Sequence, residues 1–209
     1  VTGSIPYEPP YSFARKISSL DHLTAGRMGW NIVTGYLDSA AKGVGKKQQT
    51  DHDTRYEIAH EYMQVVYGLW EQSWEDDAVL RDRQRGVFAE PAKVHAINHD
   101  GEYFKLNAIR LCEPSPQRTP VLFQAGTSPM GKAFAGEHAE CVFIGGHNPQ
   151  QPARVVASLR SEAVAHGREP SDLKIFGAIT VIVAPTDGQA AEKLADYKSY
   201  GLNEGALAL

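Results

Sequence analysis

Ser18-Ser19-Leu20-Asp21-His22-Leu23-Thr24-Ala25-Gly26-Arg27-Met28-Gly29-Trp30-Asn31-Ile32-Val33-Thr34 is the stretch that decides the fold. Ala14, Ile17, Leu20 and Leu23 recur at helical spacing, which predicts an amphipathic helix over residues 11–24. Gly26 suits the left-handed position after a helix, and Arg27 stands where a cation meets the negative end of the helix dipole. Met28 to Val33 is nearly all apolar, the pattern of a parallel strand covered on both faces. Only Asn31 and Thr34 interrupt or end it with hydrogen-bonding groups. Ligands of α/β folds are held at the carboxyl ends of strands, so these two residues stand where a site belongs. On the residues alone, Asn31 serves equally well as an internal hydrogen-bonding group and Thr34 as a plain strand end.

Outward from that stretch, strand-like and helical segments alternate, which argues for a parallel sheet with helices packed outside it. Ser4 to Pro10 reads as a loop leaving a strand end, because its prolines oppose regular structure. Gly35 to Thr50 is polar and glycine-bearing, an insertion over the site. A second helix is predicted over 53–72, with Ile58, Tyr62, Val65, Val66 and Leu69 as its buried stripe and Asp51 or Asp53 as its cap. The charged run to Arg85 predicts an exposed turn or short helix. Asn98-His99-Asp100-Gly101 marks a hairpin with Asp-Gly at its tip. A proline-rich link from Cys112 to Pro120 leads to strands at 121–125, 141–144 and 174–184. Helices are predicted over 129–136, around Val155 to Val164, and from Asp187, the last with Ala190, Ala191, Leu194 and Ala195 inward. The fold class is α/β: a single partial (β/α)8 barrel domain over 1–209, with an inserted loop and hairpin region.

Composition narrows the function. At 42% hydrophobic and 22% charged, these 209 residues are ordinary for a globular domain. A net charge of -4 with scattered basic residues argues against nucleic acid as a partner. No apolar run approaches the roughly 18 residues of a membrane span, and no secretory signal is evident. Cys112 and Cys141 imply no disulfide framework and fit reduced thiols in a cytoplasmic protein.

Gln124-Ala125-Gly126-Thr127-Ser128-Pro129-Met130-Gly131 is the second informative motif. A strand ends, glycine permits a tight turn, two hydroxyls follow, and proline opens a helix. Such a turn offers free N–H groups and a positive helix end to an anion such as phosphate. It reads equally as a turn whose Thr127 or Ser128 caps the helix. His52 and Tyr56, four residues apart, share a helix face; spacing alone makes them a surface histidine and a half-buried tyrosine. Arg55 reads as an exposed or ion-paired neighbour. His147 after Gly145-Gly146 is a loop histidine that could approach a ligand. No metal is expected: His60-Glu61 lacks a second histidine at position 64, where Gln64 stands, and His95 and His99 fall in strand-like sequence. Neither a nucleophile elbow nor a dinucleotide glycine fingerprint is present.

The stretch from Ser18 to Thr34 resembles the bacterial-luciferase-like flavin monooxygenases, in the group that includes nitrilotriacetate, dibenzothiophene-sulfone, dimethyl-sulfide and long-chain-alkane monooxygenases. The resemblance continues through Asp51-His52-Asp53-Thr54-Arg55-Tyr56, Gly86 to Pro91, Glu113 to Pro120, Val121 to Ser128 and Glu204 to Leu209. It implies that Gly126, Thr127, Ser128 and Gly131 hold the phosphate of FMN, that Asn31 and Thr34 contact the flavin, and that His52 and Tyr56 line its pocket. Catalytic residues are not assigned. The implied activity uses reduced FMN, supplied by a separate NAD(P)H:flavin reductase, and dioxygen. One oxygen atom passes to a small organic substrate through a C4a-peroxyflavin. Members of that family are about twice as long, so both ends of this chain look cut, and a full-length homo-oligomer is expected. Gly35 stands where a serine is common, and Lys42-Gly43-Val44-Gly45 replaces a more usual Arg-Asn-Phe/Leu-Gly. Extra glycines loosen a loop, which bears on Gly35 to Thr50 as a lid. Two other readings stay open: a non-catalytic flavin-binding or degenerate barrel fragment, and a deazaflavin-dependent oxidoreductase.

Overall fold

A computed structural model describes residues 1–146 and 150–201. His147 and the motif Glu204–Leu209 lie outside the described residues. The chain opens with β1 (Thr2–Ser4), a 3-10 turn over Ile5–Tyr7, and helix α1 (Pro10–Leu23). Pro10 sits in the first helical turn, where a missing N–H costs nothing. Strand β2 (Gly29–Val33) follows, then the short helix α2 (Asp38–Gly43) and the long helix α3 (His52–Tyr67), which widens into a π turn over Gly68–Gln72. Two antiparallel hairpins come next: β3 (Val79–Asp82) with β4 (Val87–Ala89), and β5 (Ile97–Asp100) with β6 (Lys105–Ala108). The remainder alternates β7 (Val121–Gln124), α4 (Pro129–His138), β8 (Cys141–Ile144), α5 (Gln150–Ala165), β9 (Lys174–Gly177) and α6 (Asp187–Ser199).

The main sheet has the order β1-β2-β7-β8-β9, and every pairing is parallel. This is the strand-helix succession of a partial (β/α) barrel. The core lies between the sheet's outer face and helices α1 and α3. Phe13, Ile17, Trp30, Ile32, Tyr62, Met63 and Trp70 are all at most 2% exposed there. Trp30 meets Phe13 at 4.4 Å between ring centroids and Trp70 edge-on at 6.2 Å. A second cluster, built on Val142, Ile144, Leu159, Ala163 and Leu173, seats α4 and α5. The other face of the sheet carries Asn31, and a ladder of Phe123, Phe143 and Phe176 with centroids 5.7 and 5.6 Å apart.

Several expectations are corrected. Leu23 is 82% exposed. A repeat of three drifts about 60° per step around a helix of 3.6 residues per turn, so the buried stripe of α1 runs instead through Ala14, Ile17, Ser18 and Asp21. The charged run before Arg85 is a strand, β3, closed by Asp82 Oδ1 accepting from Gln84 and Arg85 N–H. The predicted 174–184 strand stops at Gly177; Ile179, Val181 and Val183 are 85%, 68% and 73% exposed. β9 is the last strand of the sheet among the described residues, so nothing beneath α6 buries Ala191, Leu194 or Ala195, and Ala190 is only half-buried. Thr186, not Asp187, caps α6. Asp51 occupies the N-cap position of α3 without a side-chain bond, because Asp53 turns to His52 Nδ1 at 2.6 Å. Finally, the 35–50 segment is not a plain loop: it holds α2, whose Ala41 is fully buried.

Candidate functional site

β2 and β7 end side by side, because Ile32 pairs with Gln124 in register. Their trailing residues and the first turns of α3 enclose a cavity of ≈ 450 Å³. Thr34, His52, Tyr56 and Gly126 line it together, with Ile32, Val33, Leu37 and Ala40 as an apolar wall. Four of the eight residues singled out in the sequence therefore meet in one space. His52 and Tyr56 do share a face of α3, with rings 5.2 Å apart.

Ser128 and Gly131 adjoin that space from α4. Ser128 Oγ accepts from Gly131 N–H at 3.1 Å, which is the capping geometry, and also lies 3.2 Å from His52 Nε2. Gly131 is required by closeness: a Cβ there would stand 2.8 Å from the Tyr56 hydroxyl and 3.1 Å from Gly126 Cα. A Cβ on Gly126 would meet the same hydroxyl at 2.6 Å. The two glycines thus let α3, the β7 turn and the start of α4 come together. Thr127 is exposed at the head of the turn. Among the described residues neither its N–H nor that of Ser128 has a partner, so two donors stand free at the positive end of α4.

Asn31 is not in the cavity wall. It lies three residues back on β2, where Nδ2 donates to Thr2 Oγ1 at 3.3 Å and the buried Oδ1 has no partner. An orphaned buried oxygen is costly unless something else supplies a donor.

Three residues were missed or misread in the sequence. Gln124, 4% exposed, accepts from Gly126 N–H through Oε1 at 2.7 Å and so shapes the turn. Its signal was a polar residue closing an apolar strand. Arg55 is half-buried, bonds the Thr50 carbonyl, and makes no ion pair among the described residues; it separates the first cavity from a second of ≈ 570 Å³. Tyr7 faces both cavities and accepts from Gln49 Nε2 at 3.0 Å, tying the 35–50 segment to the β1 end. Gly35 has φ +74°, a conformation that would strain the serine common at that position.

The second cavity lies against Ile5, Pro6, Val44, Lys46 and Ile58, and is closed by Tyr103 and Phe104. Glu61 of α3 holds that closing turn, accepting from Tyr103 N–H at 3.0 Å, Phe104 N–H at 2.7 Å and His99 Nε2 at 3.0 Å. Burial alone pushes the Glu61 carboxyl up, but the hydrogen bonds from Tyr103, His99 and Phe104 outweigh it and hold the pKa below its ordinary value.

The sequence matches a known family model, luciferase-like monooxygenase, over residues 2–206. The chain belongs to that family. It is 50% identical over 208 residues to the long-chain alkane monooxygenase of Geobacillus thermodenitrificans, covering 100% of this chain and 47% of that protein. A crystal structure of a long-chain alkane monooxygenase superposes with a TM-score of 0.91, covering 100% of this chain and 48% of that one. The dimethyl-sulfide monooxygenase of Hyphomicrobium sulfonivorans is 51% identical over 209 residues, again all of this chain and 44% of that protein. A riboflavin lyase solved with modified FMN and riboflavin is 47% identical, with a TM-score of 0.87 over 93% of this chain and 43% of that one. The chain spans about half the length of these relatives. The expected family and the α/β barrel class are borne out. No described helix is long and apolar enough to cross a membrane.

Proposed function

We propose that this chain supplies the flavin-holding half of a monooxygenase that uses reduced FMN and dioxygen to oxidise a small organic substrate. The observation that carries the reading is the ≈ 450 Å³ cavity where Thr34, His52, Tyr56 and Gly126 meet beside the Ser128-capped end of α4. The donor set fits FMN. Free N–H groups of Thr127 and Ser128 at a helix N-terminus suit a phosphate, and Ile32, Val33, Leu37 and Ala40 suit the apolar edge of a flat ring.

When bound, reduced FMN supplies the electrons that activate dioxygen. The chain's own residues bind, orient and shield it. Ser128 and Thr127 fix the phosphate end, and His52, held between Asp53 and Ser128, steadies that corner. Tyr56 and Gly126 set the cavity's depth. The 35–50 segment, pinned to Tyr7 by Gln49, keeps water from the ring face. Arg55 and the Tyr103–Phe104 wall border the second cavity, which takes the substrate.

A separate NAD(P)H:flavin reductase donates the reduced flavin, and the full-length protein is a homo-oligomer, as the family resemblance implies. The deazaflavin alternative is not favoured, since the relatives near 50% identity are named monooxygenases, the 47% identical riboflavin lyase was solved with modified FMN, and the F420-dependent dehydrogenase is 20% identical. The test is a coupled assay with a flavin reductase, NADH and FMN, scored by oxygen incorporated into a panel of alkanes and sulfides. FMN-dependent incorporation is expected. Activity only with a deazaflavin, or none with any flavin, contradicts the reading.

A further inference from the structure

Away from both cavities, three side chains bring their ligating atoms within 4.8 Å of one another: His60 in the middle of α3, and Glu137 and His138 at the end of α4. His166, just beyond α5, stands at the edge of the group. His60 Nδ1 lies 3.0 Å from His138 Nε2 and 3.2 Å from Glu137 Oε2. His138 Nε2 is 3.6 Å from Glu137 Oε1, and His166 Nε2 is 3.9 Å from Oε2. Bonds of about 2.0–2.1 Å around a tetrahedral zinc ion set ligand–ligand edges of about 3.3 Å, close to the three shorter separations. We propose that His60, Glu137 and His138 form a binding site for one divalent transition-metal ion of the zinc type, which staples α3 to α4, with His166 beyond α5 beside it.

The orientation of the outer ring nitrogens supports ligation. His166 Nδ1 donates to the Glu162 carbonyl at 2.8 Å, which orients its Nε2 toward the Glu137 carboxylate. His138 Nδ1 lies 3.3 Å from the Tyr67 hydroxyl; a proton shared there leaves Nε2 free toward the cluster. Metal-bound histidines are oriented in this way by a partner on the far nitrogen.

The surroundings agree. α4 and α5 both end at the cluster, and the carbonyl ends of helices attract cations. Arg168 does not compete for Glu137's carboxylate, because its guanidinium is taken by the Gly136 and Glu137 carbonyls at 2.9 and 3.4 Å. Phe134 walls one side, with its ring 5.1 Å from His60 and 4.7 Å from His138. Gly136 permits the approach of α5, since a Cβ there would strike Glu162 at 2.6 Å. The sequence hid this site because the ligands lie on two helices far apart in the chain, and His60 has no partner at helical spacing.

Chelator-treated protein titrated with Co²⁺ tests the proposal, with Zn²⁺ as competitor. His60→Ala and Glu137→Ala are the variants of choice, because both positions are partly exposed and fold can be checked by circular dichroism. One Co²⁺ per chain, with the visible absorption of tetrahedral coordination and displacement by Zn²⁺, is expected. Each variant should weaken binding at least tenfold, and Zn²⁺ should raise the unfolding midpoint of the unsubstituted protein alone. Absence of stoichiometric binding overturns the site. Binding unchanged in folded His60→Ala and Glu137→Ala protein overturns it equally.

Discussion

Ser128 Oγ and His52 Nε2 lie 3.2 Å apart and join the N-termini of α4 and α3 across the mouth of the strand-end cavity. Two side chains 76 residues apart in the chain therefore bring the positive ends of both helices to one place. The same hydroxyl caps α4 through Gly131 N–H. One atom thus serves the helix, the histidine and, in the proposed function, the phosphate of the cofactor.

Replacing Ser128 by alanine removes all three. Reduced-FMN affinity should fall by about 1–2 kcal/mol, the scale of a hydrogen bond to a charged group. Loss of the cap should cost about 1 kcal/mol of stability besides. Anaerobic fluorescence titration and urea unfolding read the two separately. Unaltered affinity in a destabilised protein would leave Ser128 as a cap alone.

Gly131→Ala should destabilise by about 1–3 kcal/mol through overpacking against the Tyr56 hydroxyl. Tyr56→Phe removes that oxygen, so the double variant should recover part of the loss. A double-mutant cycle in urea measures the coupling. Equal cost of Gly131→Ala in both backgrounds would show that the clash with Gly126 backbone dominates instead.

The Glu61 carboxylate gives the wall of the second cavity an acid limit. Its folded pKa lies below the ordinary 4.5. Its contribution is therefore present above 4.5 and lost as pH falls through the lowered folded value. Glu61→Gln should cost about 1–3 kcal/mol at neutral pH, since Tyr103 and Phe104 N–H groups lose their charged acceptor. That cost should shrink on acidification. Urea midpoints of both proteins across the acid range check it, and a pH-independent difference would contradict it.

Gln49→Ala cuts the bond that ties the 35–50 segment to Tyr7 and the bond within the segment to the Leu37 carbonyl. Water should then reach the flavin more often, and the fraction of reduced flavin lost as hydrogen peroxide should rise about twofold or more. Peroxide yield per flavin oxidised is the readout. An unchanged yield would remove this segment from the role of lid.

Much of the barrel half was legible in the sequence, because its strands and helices carry their own periodicity. Trp30 and Ile32 mark β2, and Tyr62, Val65 and Val66 mark α3. Thr34 and Gly126 could be named before the structure because strand ends and a glycine turn announce a site in α/β folds; His52 and Tyr56 were named only through the family resemblance, since their spacing alone reads as a surface histidine and a half-buried tyrosine. What failed depended on neighbours. Leu23 looked like core until the true phase of α1 turned Ser18 and Asp21 inward. Ile179, Val181 and Val183 looked like strand, yet pairing needs a partner that periodicity does not report. Gln124 and Arg55 were overlooked because their importance lies in what they touch: the Gly126 N–H and two cavities at once.

The most direct measurement is an anaerobic titration of the protein with reduced FMN. The account predicts saturable binding with one FMN per site, weakened by Ser128→Ala and spared by Cys112→Ser, a change remote from both cavities. No binding of reduced FMN by the folded protein, or binding indifferent to Ser128, would contradict it.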